Sequence, residues 1–281
     1  MLLNNYHIHT NFCDGKASVP EIILKAEEYK MNHIGFSSHA PLPFSCSWSL
    51  SNEDVLNLYC SEVRKFKNQS RQVGTDLHIF LGIEHDYIPG YTIPFSERIK
   101  HHHFDYIIGS VHLVRVRNSN NFWFIDGKRN NFIKELKDYF NNDIKSGVNS
   151  YYSQLREMIS TQQFDIIGHL DKIKLNNANE FFSENEQWYI NEVEETLEIA
   201  KKYNKIIELN TRGFYQKKCE EFYPSNWILK RIFELNIPVV VSSDAHQTNE
   251  LTAGYSEAYK TLSEIGFKSV KQYCNNEWID V

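Results

Sequence analysis

Cysteine is sparse in this 281-residue chain, and its five residues, Cys13, Cys46, Cys60, Cys219 and Cys274, form no C-x-x-C pair. An odd, scattered set argues against a disulfide framework and reads as free thiols in a reducing compartment. Long apolar runs are missing as well: none approaches the roughly 18–20 residues of a membrane span. The start, Met1-Leu2-Leu3-Asn4-Asn5-Tyr6, has neither the basic nor the apolar stretch of a secretory signal. These absences predict a cytoplasmic protein. Positive charge is not in excess either, since 30 Lys and Arg against 36 Asp and Glu leave −6. That argues against nucleic acid or an anionic membrane as the main partner, and leaves room for a small phosphorylated substrate. There is no glycine-rich phosphate loop, Walker motif or G-x-S-x-G elbow. No linker or low-complexity tract marks a boundary, so residues 1–281 read as one domain.

What is present is a regular alternation. Apolar residues make up 41% of the chain and aromatics 14%, enough for a sizeable core rich in Phe and Tyr. Ile34–Ser38, Leu77–Glu84, Tyr106–Val111, Asp165–His169, Ile206–Asn210 and Val239–Ser243 each read as a buried parallel strand, and Tyr6–His9 as a seventh. Helical patterns fall between them at Val19–Met31, residues 51–71, Pro94–His102, Asn130–Gln162, Glu184–Tyr203, Ser225–Leu235 and Glu250–Glu264. Ser18 is placed to cap the first, with Pro20 and Glu21 in its first turn. Repeated strand–helix units imply an α/β fold with a parallel sheet, and seven of them suggest a closed barrel. The polar stretch Arg115–Gly127 is long for a strand–helix loop and reads as a substrate-facing insertion.

Potential metal ligands recur where these strands end. They are His7, His9 and Asp14, then His39, Glu84, His112, His169 with Asp171 beside it, and Asp244 with His246. In a parallel barrel the C-terminal strand ends converge on one face, so residues distant in sequence meet there. His7 and His9, two apart on a strand, point the same way. Glu84 has two oxygens with which to bridge two ions. Mixed imidazole and carboxylate donors suit two to three divalent ions of Zn, Mn or Fe. His33, His78 and His101-His102-His103 fall at the opposite end of the barrel. His85 follows Glu84 and points away from it. Cys13 lies near the cluster without an activating partner in the sequence.

The ordered set His7-Ile8-His9-Thr10, Cys13-Asp14-Gly15, Ser38-His39, Gly82-Ile83-Glu84, Gly109-Ser110-Val111-His112, Gly168-His169-Leu170-Asp171, Glu208-Leu209-Asn210-Thr211 and Ser243-Asp244-Ala245-His246 resembles the polymerase and histidinol phosphatase (PHP) superfamily. Within it, the set resembles the monofunctional histidinol-phosphate phosphatases. The resemblance implies a distorted (β/α)7 barrel with up to three metals. His7, His9, Glu84 and Asp244 would hold the first, Glu84, His112 and His169 the second, and Asp14, His39 and His246 the third. The implied reaction is hydrolysis of L-histidinol phosphate to L-histidinol and phosphate, a histidine-biosynthesis step.

The residues suggest a chemistry of their own. Two ions about 3.5–4 Å apart can bridge a hydroxide that attacks phosphorus in line. The leaving alkoxide would take its proton from Asp244, His246 or a metal-bound water. Arg212, directly after a strand end, is placed to clamp the phosphoryl group in bidentate fashion, with Lys172 a second candidate and Arg115 and Arg117 further ones. Phe44 and Trp48 follow His39 and could wall an imidazole-bearing substrate. Competing readings are a PHP phosphatase for a nucleotide or phosphotyrosine, an amidohydrolase-type C–N hydrolase, and a non-catalytic PHP-like module. The C–N hydrolase usually needs a bridging carboxylated lysine, and no lysine ends a strand here.

Overall fold

The computed structural model describes residues 3–117 and 119–281. The chain runs through β1 (Asn4–Asn5), α1 (Val19–Glu28), β2 (His33–Phe36), α2 (Glu53–Val73), β3 (His78–Asp86), α3 (Phe95–His102) and β4 (Tyr106–Ser110). A hairpin of β5 (Leu113–Arg115) and β6 (Phe122–Phe124) follows, then α4 (Arg129–Phe140), α5 (Ile144–Thr161) and β7 (Ile166–Ile167). After a 3-10 turn at Lys172–Asn176 come α6 (Gln187–Lys202), β8 (Ile206–Asn210), α7 (Arg212–Tyr215), α8 (Asn226–Glu234) and β9 (Val239–Ser242). The chain closes with α9 (Tyr255–Ile265) and a hairpin of β10 (Lys271–Cys274) and β11 (Glu277–Asp280).

Seven strands form one sheet in the order β1-β2-β3-β4-β7-β8-β9, and each pair is parallel. The sheet curls back on itself. Ile8 bridges Ala245, with His9 N–H donating to the Ala245 carbonyl at 2.8 Å and Ala245 N–H to the His7 carbonyl at 3.0 Å. The expected (β/α)7 barrel is therefore present, sewn shut by the backbone of its first and last ligand motifs.

Strand alternation divides the core. Ile79, Leu81, Ile83, Ile107, Ile167, Ile207, Leu209, Val239 and Val241 pack outward with the helices. The opposite parity, Phe80, Tyr106, Ile108, Ile166, Ile206 and Val240, fills the lower interior of the ring together with Tyr6 and Tyr273. Tyr106 spans that interior, with its hydroxyl donating to the Tyr6 carbonyl at 2.5 Å. A Cβ at Gly82 would lie 2.3 Å from its ring, so only glycine lets the aromatic cross there. Trp278 of the C-terminal hairpin packs against the same cluster and covers the lower end.

Local chemistry explains the element boundaries. The Glu21 carboxylate accepts from the Ser18 N–H at 2.8 Å, closing the start of α1. Asn52 caps α2 through the Val55 N–H at 3.0 Å, and Gly74 ends it at φ 70. The continuous helix expected over Asn130–Gln162 is two. Asn141 and Asn142 take φ 52 and φ 61, which asparagine tolerates, and Asp143 then caps α5. The expected strand Asp165–His169 shrinks to Ile166–Ile167, because the Asp165 carboxylate is drawn aside by the Ile107 N–H at 2.8 Å and His169 turns to φ 24. Arg115–Gly127 is not a plain loop: most of it is the β5–β6 hairpin turn and its second strand. No helix of the described residues is long and apolar enough to cross a membrane.

Candidate metal centre

The strand ends bring all nine residues expected as ligands to one mouth of the barrel. Glu84, 1% exposed at the end of β3, is the pivot. Its Oε1 lies 3.0 Å from His169 Nε2 and 3.7 Å from His112 Nε2, and those two nitrogens are 3.2 Å apart. Its Oε2 faces the other way, 3.2 Å from His7 Nε2 and 3.5 Å from His9 Nε2. Asp244 Oδ1 completes that second group, at 3.3 Å from His9 Nε2 and 3.8 Å from His7 Nε2. Donors held tetrahedrally at about 2.0–2.2 Å from one ion stand roughly 3.3–3.6 Å apart. The separations in the two groups, from 3.0 to 3.8 Å, bracket that spacing.

A third group, His9, Asp14, His39 and His246, adjoins them. Asp14 Oδ2 is 3.2 Å from His246 Nε2, and Asp14 Oδ1 is 3.9 Å from His39 Nε2. The loop carrying Asp14 folds back so tightly that a Cβ at Gly15 would stand 2.6 Å from the backbone of His9 and Thr10. Asp244 and His169 both adopt left-handed backbone, at φ 52 and φ 24. Such strain at a cluster of polar groups is maintained by the surrounding packing and marks sites of function.

Six of the donor atoms in these groups lack other employment. His7 Nε2, His9 Nε2, Asp14 Oδ1, His39 Nδ1, Glu84 Oε2 and Asp244 Oδ1 are buried and make no hydrogen bond. Buried polar atoms are ordinarily satisfied. So many orphans converging on shared centres fit divalent cations, which would satisfy them all at once.

The far sides of the imidazoles are held. His7 Nδ1 lies 2.6 Å from Glu208 Oε1, whose partner oxygen accepts from the His169 N–H at 2.9 Å. One carboxylate thus ties a residue of the first group to a residue of the second. His112 Nδ1 lies 3.0 Å from Asp86, which also accepts the His112 N–H. His246 Nδ1 lies 3.0 Å from the Asp244 carbonyl. Such outer partners orient metal-binding histidines and fix their tautomers. Asp86 and Glu208 were not singled out for this work in the sequence. The available signal was alternation: Asp86 sits two residues past Glu84, and Glu208 two before Asn210, each on the inward side of its strand.

Charge follows the same layout. Burial works against ionising Glu84, but His39, His7 and His112 hold its carboxyl well below the usual range. Burial likewise opposes charge on His112, yet Asp86, Asp126 and Glu84 raise it to about 9. His9 goes the other way, depressed by burial and by His246 and His39. A field that favours a proton on an imidazole lone pair also favours a metal cation there.

Above the cluster opens a pocket of about 510 Å³, the size of a small-molecule site. Arg212, Lys172 and Lys218 line it, and Trp48, Phe124 and Tyr223 supply aromatic wall. Arg212 is anchored by the Asp244 carbonyl at 2.7 Å and the Tyr215 hydroxyl at 3.1 Å. Lys172 pairs with Asp126 at 3.3 Å. Lys218, Tyr223 and Asp126 lie on loops whose sequence carries no periodic signal, and reasoning from strand ends missed them. Other candidates fall elsewhere. Arg115 bonds the Pro89 carbonyl and stacks on Tyr91, in a separate groove it shares with Arg117. Phe44 stacks on Phe122, whereas Trp48 stays in the pocket wall, edge-on to His39 at 4.7 Å. His85 turns outward against Phe95, with Arg98 beyond it. Asp171 is buried below, bonding Lys174 and Ser225.

With this geometry in place, comparison with known families is decisive. The model of the PHP domain matches residues 5–212. The chain belongs to the PHP domain family. Among curated PHP relatives, the protein named probable histidinol-phosphatase of Deinococcus radiodurans is 26% identical over 268 residues, spanning 94% of each chain. Histidinol-phosphatase of Bacillus subtilis is 25% identical over 269 residues, 89% of this chain and 95% of that one. Among solved structures, the histidinol phosphate phosphatase of Lactococcus lactis subsp. lactis Il1403, complexed with zinc, L-histidinol and phosphate, shares the fold. Its TM-score is 0.74 at 16% identity, covering 99% of this chain and 100% of that one.

Proposed function

We propose that this PHP chain is a metal-dependent phosphomonoesterase that hydrolyses L-histidinol phosphate to L-histidinol and phosphate. The observation that carries the reading is Glu84, whose Oε2 faces a group of buried donors that make no hydrogen bond and whose Oε1 faces His112 and His169, beneath a cationic pocket. The names of the two full-length relatives support the substrate.

Two to three divalent ions, Zn, Mn or Fe, would be held by His7, His9, Glu84 and Asp244, by Glu84, His112 and His169, and by Asp14, His39 and His246. When bound, such ions supply Lewis acidity toward the phosphoryl oxygens and make water nucleophilic at neutral pH. The chain's own residues do the rest. Arg212, fixed by the Asp244 carbonyl and Tyr215, is poised to bind phosphoryl oxygens, with Lys172 and Lys218 beside it. Against the cost of burial, His7, His9, Arg212 and Lys172 hold the Asp244 carboxyl well below the usual range. Asp244 therefore stands as a carboxylate, the form that ligates a metal cation. His246 lines the same pocket, and its Nε2 would be free to pass a proton to the leaving oxygen only with the third ion absent.

Glu84 occupying the bridging seat, with Lys172 turned to Asp126, disfavours the carboxylated-lysine C–N hydrolase reading. The five free cysteines support work in a reducing cytoplasm. The continuous core running from Ile8 to Leu262 supports residues 1–281 acting as one unit.

The test is kcat/KM over a panel of L-histidinol phosphate, nucleoside monophosphates, phosphotyrosine and p-nitrophenyl phosphate, with metal content measured by ICP-MS. Histidinol phosphate should lead the panel. Parity with p-nitrophenyl phosphate would refute the substrate, and a better nucleotide or phosphotyrosine would name the replacement.

A further inference from the structure

One charged group in the pocket is explained neither by the metal groups nor by phosphate binding. Asp126, on the turn after the β5–β6 hairpin, presents its carboxylate to the pocket at 19% exposure. It stands outside every group of candidate ligands. Its Oδ2 lies 3.3 Å from Lys172 Nζ and 4.0 Å from His112 Nε2. Among the described residues, no hydrogen bond ends on it. A largely enclosed carboxylate needs donors. A carboxylate beside a phosphate pocket also repels every phosphomonoester, and so weakens binding unless the ligand brings a positive charge of its own.

We infer that Asp126 is the seat of a substrate ammonium group, making this a pocket for phosphomonoesters of amino alcohols. The inference rests on the phosphatase reading above and adds a residue that selects the substrate. Its position suits the task. Asp126 is close to His112, hence to where the phosphoryl group is to react, and the ammonium of a 2-amino alcohol lies three bonds beyond the ester oxygen. Discrimination comes from both sides: an ammonium gains a charge-assisted hydrogen bond, and an amine-free ester leaves the carboxylate with Lys172 as its one lysine or arginine partner among the described residues. Trp48 and Phe124, stacked at 5.9 Å and 18° on the same side, offer a flat apolar wall for the rest of such a substrate.

The test pairs a substrate deletion with a side-chain change. Full-length wild type and Asp126→Asn, both metal-loaded, are assayed with L-histidinol phosphate and with 3-(imidazol-4-yl)propyl phosphate, which lacks only the amine. O-phosphoethanolamine against ethyl phosphate repeats the comparison without the imidazole. Asp126→Asn should lower kcat/KM for each amine substrate about 10- to 100-fold, the loss expected for one charge-assisted hydrogen bond. The amine-free partners should change by less than about 3-fold, and metal content should hold. Equal losses for amine and amine-free esters would overturn the inference, making Asp126 a support for Lys172. Loss of metal in the variant would overturn it in favour of a ligand, and an unchanged variant would overturn it outright. Asp126→Ser repeats the measurement if the asparagine variant misfolds. Failure of the substrate reading looks different: wild type would not favour histidinol phosphate over p-nitrophenyl phosphate, while the ethanolamine pair still reports on Asp126.

Discussion

Glu208 should link the two principal ligand groups, and Glu208→Gln is the perturbation that exposes it. The carboxylate accepts on both oxygens: His7 Nδ1 at 2.6 Å on one, the His169 N–H at 2.9 Å and Asn210 Nδ2 at 3.1 Å on the other. A glutamine of the same shape has one acceptor and one donor. Either the imidazole or the peptide N–H must then face an NH2 group, in a site with 0% exposure. Losing one charge-assisted bond and stranding a buried donor costs about 2–4 kcal/mol. For a chain of this size that lowers Tm by roughly 4–10 °C. Misaligned histidines should also weaken metal binding by about 10- to 100-fold. Calorimetry of metal-stripped and reloaded protein reads the first quantity. ICP-MS after dialysis at buffered free zinc reads the second. A variant with lowered Tm but wild-type metal affinity would show that Glu208 only supports the fold. A variant unchanged in both would refute the reasoning altogether.

Glu84→Gln removes the charge from the shared carboxylate and should cost both metal and turnover, by at least about 10³-fold in kcat; retained activity in the metal-analysed protein would contradict the bridging role. Arg212→Ala should lower kcat/KM by about 10²-fold with metal content unchanged, and a parallel loss of metal would mean the residue supports the cluster instead of the phosphoryl group. His33, at the lower end of the barrel, is pushed down to about 4 by burial and by His78. Its unfolded value is 6.5, so between those limits the unfolded chain takes up a proton that the folded chain refuses. Its contribution to stability is thus complete above pH 6.5 and declines as pH falls toward 4. Urea titrations of metal-free wild type and His33→Phe from pH 7 to 4.5 should show the wild type losing relative stability on acidification; parallel curves would refute the shift.

Much of this molecule is written in short-range pattern. Buried apolar runs ending in His, Asp or Glu announce both the strands and the ligands, because a parallel barrel converts the end of each strand into a place on one ring. His7, His9, Glu84, His112, His169, Asp244 and His246 were legible for that reason. So was the resemblance that led to the PHP family.

Other features depend on contacts between segments far apart in the chain. That each oxygen of Glu84 turns to a different group is settled by where His39, His112 and His169 stand, not by any local spacing. Glu208 and Asp86 became holders of histidines only when the barrel closed, bringing β8 within reach of the chain after β1, and when β3 paired with β4. The break at Asn141-Asn142 depends on two residues taking left-handed backbone, which asparagine permits but does not require. Asp126, Lys218 and Tyr223 sit on irregular segments, where position follows from what the chain packs against. Sequence alone therefore determined the barrel, its ring of donors and the class of chemistry. Tertiary structure decided how those donors group, which carboxylates stand behind them and which charges face a substrate, because these depend on distances between side chains that no local pattern encodes.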